Sequence, residues 1–332
     1  MNPTIAGKPV VIIDGPILNM KSGFGEKLLC DGPTFSTGTA CVYKCAFCYV
    51  PSYQEMNKDV QKALQETGKC FQDLVIRRRN PVAKLKDALM CKGKPRYAGG
   101  PKKVVYASPL VDVAANIELA NETLECCLTI CELTNWDIRL LSKSNLLPYI
   151  AKRLPLEFKN RVIFGVSTGT FDDKLAAAFE EGTAKVSKRL ESLYWLQDFG
   201  FRTYGMVCPS LPQTDYKAFA QEAAEKVRVA KCEHVWGEVL NVRGESMVRT
   251  CSALRSAGYD YPAGQLELVA NDKVAWEQYA RDTFTALTGA IPADKLRFLQ
   301  YVNADNLEWW KAQKANGAIL LGKIVYNDNH EP

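Results

Sequence analysis

Thr39-Ala-Cys41-Val-Tyr-Lys-Cys45-Ala-Phe-Cys48-Tyr49 is the stretch on which the reading of this chain turns. Its spacing, Cys-x3-Cys-x2-Cys, puts three thiolates on one tight loop. Thiolates are the ligands of iron–sulfur clusters, and such a loop can present three of them to one cubane face. The number three is informative. A fourth iron without a protein ligand is open to a small molecule. Zinc in a structural site takes four ligands, and no fourth cysteine or histidine lies nearby in sequence. An aromatic residue, Phe47, directly precedes the third cysteine.

Working outward, short β-rich runs alternate with longer helical patterns. A strand near 34–37 precedes the cysteines. Further strands are expected at 103–107, 137–141, 161–166, 202–207 and 234–240. Between them, helical periodicity covers 117–133, with Asn116 as a plausible N-cap, then 145–153, 185–199 and 216–229. Strands separated by helices in this way make βα units on a parallel sheet, so six strands predict an α/β fold, a partial (β/α)6 barrel or an open sheet. Residues 53–103 break the repeat and read as an insertion with helices near 59–66 and after Pro81. Helical patterns at 246–257, 273–287 and 306–315 read as a C-terminal helical extension. One domain over 1–332 is expected, with a core of about 30–245, the insertion at 53–103 and the extension at 246–332.

The 332 residues are 47% apolar and 24% charged, the composition of a globular protein with a large core. No run approaches a membrane span of roughly 18 apolar residues, and the early apolar run 10–13 is short for a signal peptide, so a cytoplasmic protein is expected. Twelve cysteines in such a chain point to metal binding or catalysis before disulfides. Only two histidines, His234 and His330, argue against a His-rich zinc or iron site and against a Ser-His-Asp scheme. The net charge is +5, unevenly spread. Between 77 and 103, ten basic residues stand against one acidic residue, Asp87, a local net charge of +9, which leaves the remainder at −4. A concentrated basic block on an acidic body is the footprint of a polyanion partner such as nucleic acid.

Beyond the cysteines, the marks Phe-Ser-Thr-Gly (35–38), Ala107-Ser108, Leu-Leu-Ser-Lys-Ser (140–144), Phe-Glu-Glu-Gly-Thr (179–183), Lys188-Arg189 and Glu238 make residues 35–247 resemble the spore photoproduct lyase and DNA-repair-photolyase-like branch of the radical S-adenosylmethionine (SAM) superfamily. The resemblance implies a partial barrel of the radical SAM type. It implies a 4Fe–4S cluster on Cys41, Cys45 and Cys48 that cleaves SAM to a 5′-deoxyadenosyl radical. Ser108 would sit by the SAM amino group, Lys143 would pair with its carboxylate, Ser167 would reach the ribose and Phe47 would line the cofactor site. Glu180 and Arg189 would form an ion pair beneath. The implied partners are DNA, as a thymine-type substrate, and a reductant such as flavodoxin or ferredoxin.

The chain departs from that branch at Pro109, where the lyase carries a hydrogen-donating cysteine. Cys208, after the strand 202–207, is the best substitute. Cys91 in the basic block and Tyr106 and Tyr204 on strands are weaker ones. Cys126, Cys127 and Cys131 share one expected helix and read as core. Three functions compete: hydrogen abstraction from a nucleobase in DNA, leading to modification, rearrangement or repair; a radical SAM reaction on a small molecule or peptide; and a non-catalytic iron–sulfur protein that binds nucleic acid.

Overall fold

The computed structural model describes residues 4–242 and 244–322. His330 and the last ten residues of the expected C-terminal extension lie outside them. Eight strands run parallel in one sheet, in the order Thr34–Phe35, Val104–Ala107, Asp137–Ser142, Val162–Thr168, Arg202–Ser210, Val235–Val239, Leu296–Tyr301 and Ala318–Leu321. Leu18–Asn19 adds an antiparallel strand beside the first. The six strands expected from sequence are the first six of the eight. The α/β class with a parallel sheet therefore stands, with a correction. The 246–332 region is not a helical extension alone, because it returns to the sheet twice. Leu-Arg-Phe-Leu-Gln-Tyr and Ala-Ile-Leu-Leu are short apolar runs, whose periodicity cannot separate strand from helix.

Helices cover the outer face. The longest near the site, Ile117–Leu133, starts where the Asn116 side chain accepts from the Leu119 N–H at 2.8 Å. Cys126, Cys127 and Cys131 are buried on this helix within the main apolar core. The inner face carries a second apolar cluster of Tyr106, Ile163, Tyr204, Met206, Trp236, Leu299 and Leu321, contributed by alternate residues of six strands. Gly165 makes room for it, since a Cβ there would collide with the Tyr204 ring.

The N-terminal segment around Gly23–Gly25 fills the same concave face. Phe24 packs on Tyr106 with ring centroids 5.4 Å apart, and the Arg139 guanidinium donates to the carbonyls of Leu28 and Leu29. The Trp236 indole N–H donates to the Lys27 carbonyl at 2.9 Å. One short segment thus touches the second, third and sixth strands, so the sheet wraps round it. The lower part of the inner face is packed, and only the rim at the strand C-termini is left for chemistry.

A smaller sheet stands beside the first, in the order Thr4–Ile5, Lys8–Ile13, Val75–Arg78 and Gly38–Ala40. The cysteine loop leaves directly from Gly38–Ala40. Residues 53–103 therefore include a strand, Val75–Arg78, that completes the sheet carrying this loop. Their basic side chains are also less free than the sequence implied. Arg77 is buried and ion-paired with Glu122. Arg79 and Lys84 pair with Asp14, and Lys102 pairs with Asp137. Among the described residues no helix is long and apolar enough to cross a membrane.

Candidate active site

The parallel strands end on one side, and the chemistry-bearing residues collect there. Ser108 follows the second strand, Lys143 the third; Ser167 lies near the end of the fourth, Cys208 of the fifth and Glu238 of the sixth. The cysteine loop is laid against this rim and fixed from several sides. Glu180–Glu181 pairs antiparallel with Lys44–Cys45, and the Ala46 N–H donates to the Phe179 carbonyl at 2.8 Å. Gln72 donates to the Cys45 carbonyl at 3.0 Å, and Lys8, itself buried, donates to the Tyr43 carbonyl at 3.3 Å. From helix Ser246–Ser256, Arg249 reaches the Ala46 carbonyl at 3.1 Å and the Cys48 carbonyl at 2.8 Å.

The three thiols are half-buried on one loop. Burial pushes Cys41 up to about 12 and likewise raises Cys45 and Cys48; Cys41 also feels Cys48, and Cys45 feels both of the others, while the Val50 N–H and the Arg249 and Lys8 cations work against the rise at Cys48. No group of three or more His, Cys, Asp or Glu among the described residues converges as ligands of a single metal ion would. A cubane asks for something else, with each thiolate on a different iron and the sulfurs correspondingly apart. Three half-buried thiols on one loop fit that donor set, and metal would take the place of their protons.

Lys143 is the hub of the cofactor-facing side. Its ammonium lies 2.7 Å from Glu180 Oε1, 3.0 Å from Ser167 Oγ and 5.1 Å from the centre of the Phe47 ring. Glu180 is held from its other side by Arg189 at 2.5 Å, both side chains being fully buried. Burial works against the Glu180 charge, but the Lys143 and Arg189 cations prevail and keep its pKa below the ordinary value. Ser108 has a left-handed backbone, φ +46°, which costs a non-glycine residue roughly 1–2 kcal/mol, and its buried Oγ has no hydrogen-bond partner among the described residues. A strained serine with an orphaned hydroxyl at the rim is what a bound polar group would satisfy.

The sequence reading passed over Asp112. It accepts from Ser142 Oγ at 2.7 Å and from the backbone N–H groups of Lys143 and Ala114, while its own N–H points at Cys41 Sγ at 3.4 Å. It ties the third strand's end to the cysteine loop. An acid four residues past a strand-ending serine was the available signal. Arg249, Tyr49 and Lys27 were also missed, and nothing in their sequence neighbourhood marks them.

On the far side of the rim, Cys208 Sγ lies 3.5 Å from Glu238 Oε2. Burial, then Glu238, pushes its pKa well above that of a free thiol. Its carbonyl accepts from Ser167 Oγ at 3.3 Å, which links the two halves of the site. The Cys208–Pro209 peptide is cis, and Gly169 packs against Pro209 where any Cβ would strike the proline carbonyl. Tyr49 donates to the Pro109 carbonyl at 2.6 Å and lies near Tyr106, Glu238 and Tyr301, over the mouth. Tyr106 and Tyr204 are buried within the inner-face cluster, and Cys91 is exposed on a hairpin formed by Met90–Cys91 and Lys94–Pro95, apart from the rim.

No family model matches this chain, and no curated protein does. Among solved structures, a tyrosine-to-phenylalanine mutant of spore photoproduct lyase matches with a TM-score of 0.57 at 12% identity, over 88% of this chain and 82% of that one. The lyase complexed with dinucleoside spore photoproduct matches with a TM-score of 0.48 at 13% identity, over 74% and 66%. In its mutant with bound AdoMet and dinucleoside spore photoproduct, this chain spans 61% of the lyase. Streptococcus suis SuiB bound to the precursor peptide SuiA matches with a TM-score of 0.38 at 12% identity, over 74% of this chain and 46% of SuiB. The first of these matches establishes a shared fold.

Proposed function

We propose that this chain, which has the fold of spore photoproduct lyase and so of the radical SAM superfamily, is a radical SAM enzyme that abstracts hydrogen from a thymine-type nucleobase in DNA, for modification, rearrangement or repair. The observation that carries the radical SAM reading is the Lys143 ammonium, held beside Ser167 and the Phe47 ring directly against the loop of Cys41, Cys45 and Cys48. When bound, a 4Fe–4S cluster and SAM supply reductive cleavage to a 5′-deoxyadenosyl radical.

The chain's own residues have separable tasks in this reading. Cys41, Cys45 and Cys48 hold the cluster. Lys143 pairs with a carboxylate, a charge-assisted contact. The Ser108 hydroxyl accepts from an amino group, and Ser167 reaches a ribose hydroxyl. Glu180 keeps Lys143 extended, and Arg189 keeps Glu180 charged. Cys208, buried beside a carboxylate, stays a protonated thiol, the form that has a hydrogen atom to return to a substrate radical. A low-potential carrier of the flavodoxin or ferredoxin type would supply the electron.

A small-molecule or peptide substrate is the second reading. It is favoured by the internal pairing of Arg77, Arg79, Lys84 and Lys102, which leaves less charge for phosphates. The test is anaerobic reconstitution with iron and sulfide, then SAM and dithionite, with 5′-deoxyadenosine measured with and without thymine-containing DNA. A rise with DNA that Cys41→Ala abolishes supports the nucleobase reading. Slow cleavage indifferent to DNA supports the second. No cleavage from a protein with a full cluster removes the enzyme.

A further inference from the structure

Across the rim from Lys143 stands an ion pair that the fold does not need. Lys27 comes from the N-terminal segment and meets Glu238 of the sixth strand at 3.4 Å, with side-chain exposures of 21% and 11%. Buried pairs seldom add stability over apolar residues of the same size, so one kept at the rim of the strand C-termini is better explained by what it can bind. Burial works against the Lys27 charge, but Glu238 outweighs it, and the lysine remains an ammonium.

The hydrogen-bonding inventory of the pair is incomplete. Glu238 Oε1 receives Lys27 and the Asn241 amide at 2.8 Å. Among the described residues, Oε2 receives only the Cys208 thiol, a weak donor. An ammonium has three N–H donors, and Lys27 turns two of them toward Glu238 and Tyr301. One strong acceptor and one strong donor are left side by side at the mouth. The walls around them are aromatic. The Tyr301 ring centre lies 5.5 Å from Lys27 Nζ, and Tyr49 and Tyr106 are close by.

We propose that Lys27 and Glu238 form a base-edge reader for a flat ring that carries a carbonyl beside an N–H, the imide edge of a uracil-type pyrimidine. The Lys27 ammonium donates to the ring carbonyl, Glu238 Oε2 accepts the ring N–H, and the exposed Tyr49 ring offers a face for stacking. A cytosine presents an acceptor where this site needs a donor to Glu238. This rests on the nucleobase reading above and narrows it. It also puts the Cys208 sulfur against the carboxylate that orients the ring.

The test is equilibrium binding of labelled single-stranded oligonucleotides to the cluster-reconstituted protein with SAM, without reductant, followed by fluorescence anisotropy. Three tracts of equal length are compared: thymine, cytosine and N3-methylthymine. The expected result is tighter binding of thymine than of either other tract by about tenfold or more. Glu238→Leu, which keeps the bulk but has no acceptor, should erase that preference, and Lys27→Met should weaken thymine binding while leaving cytosine binding alone. Equal binding of thymine and N3-methylthymine by the unaltered protein overturns the proposal, whatever the variants do. A preference that survives Glu238→Leu overturns it too, and in both cases the nucleobase reading stands. Binding of none of the three tracts removes both.

Discussion

Glu180 shows how much one residue can carry. It lies between Lys143 and Arg189, 1% exposed, and pairs in register with Cys45. Its replacement by glutamine would leave two cations facing a neutral amide, and breaking a buried pair costs about 3–5 kcal/mol. We expect Glu180→Gln to lower the unfolding free energy of the cluster-free chain by about that much in urea at neutral pH. The pH dependence has a definite sign. The folded pKa is held below the ordinary 4.5, so the stabilisation is complete above that value and is lost as pH falls through the lower folded one. The gap between the two proteins should therefore close in acid; a gap that widens would refute the pairing. The placement of Lys143 and Ser167 side by side at the rim was legible because each ends an expected strand. Asp112 was not, because its importance lies in contacts to residues remote in sequence, Ser142 and Lys143 on one side and Cys41 on the other.

At the level of elements, the cysteine loop depends on parts that are remote in sequence. Helix Ser246–Ser256 reaches it through Arg249, on the carbonyls of Ala46 and Cys48. Arg249→Met should fold but hold fewer irons per chain after reconstitution, with a weaker cluster absorbance. Arg249→Lys, which keeps the charge but loses the forked donor, should fall between. Equal iron content in all three proteins would sink this clamp. The strand Val75–Arg78 supports the loop from the other side, and Arg77 anchors it to helix Ile117–Leu133 through Glu122. Arg77→Ala should cost about 3–5 kcal/mol as a broken buried pair. Arg79→Ala, at an exposed pair with Asp14, should cost at most about 1 kcal/mol. From sequence these two arginines look alike, as members of one basic run. Their difference comes from where the strand ends: Arg77 lies within Val75–Arg78 and is buried, whereas Arg79 stands just past it and is exposed, which charge counting cannot see. The final two strands escaped notice for a related reason, since a short buried strand is apolar on both faces and shows no period.

At the scale of the whole molecule, the proposed DNA substrate can be tested through how the chain's charge is committed. Of the ten basic residues between 77 and 103, Arg77, Arg79, Lys84 and Lys102 already face carboxylates of this chain. The other six are Arg78, Lys86, Lys92, Lys94, Arg96 and Lys103, and Arg78 is turned to the Asp14 carbonyl. Lys92 and Lys94 are exposed on the hairpin joining Met90–Cys91 to Lys94–Pro95, free to meet a phosphate backbone. Each neutralised phosphate on duplex DNA contributes about −0.9 to the slope of log K against log salt. Six available cations therefore set a limit of about −5, where the raw count of ten would allow about −9. A double change, Lys92→Ala with Lys94→Ala, should flatten the measured slope by about 2 and weaken binding alike for every sequence, because phosphate contacts position and do not read. The thymine preference at Lys27 and Glu238 should survive that change. Loss of sequence preference together with the salt dependence would mean that the hairpin, and not the rim at the strand C-termini, selects the base.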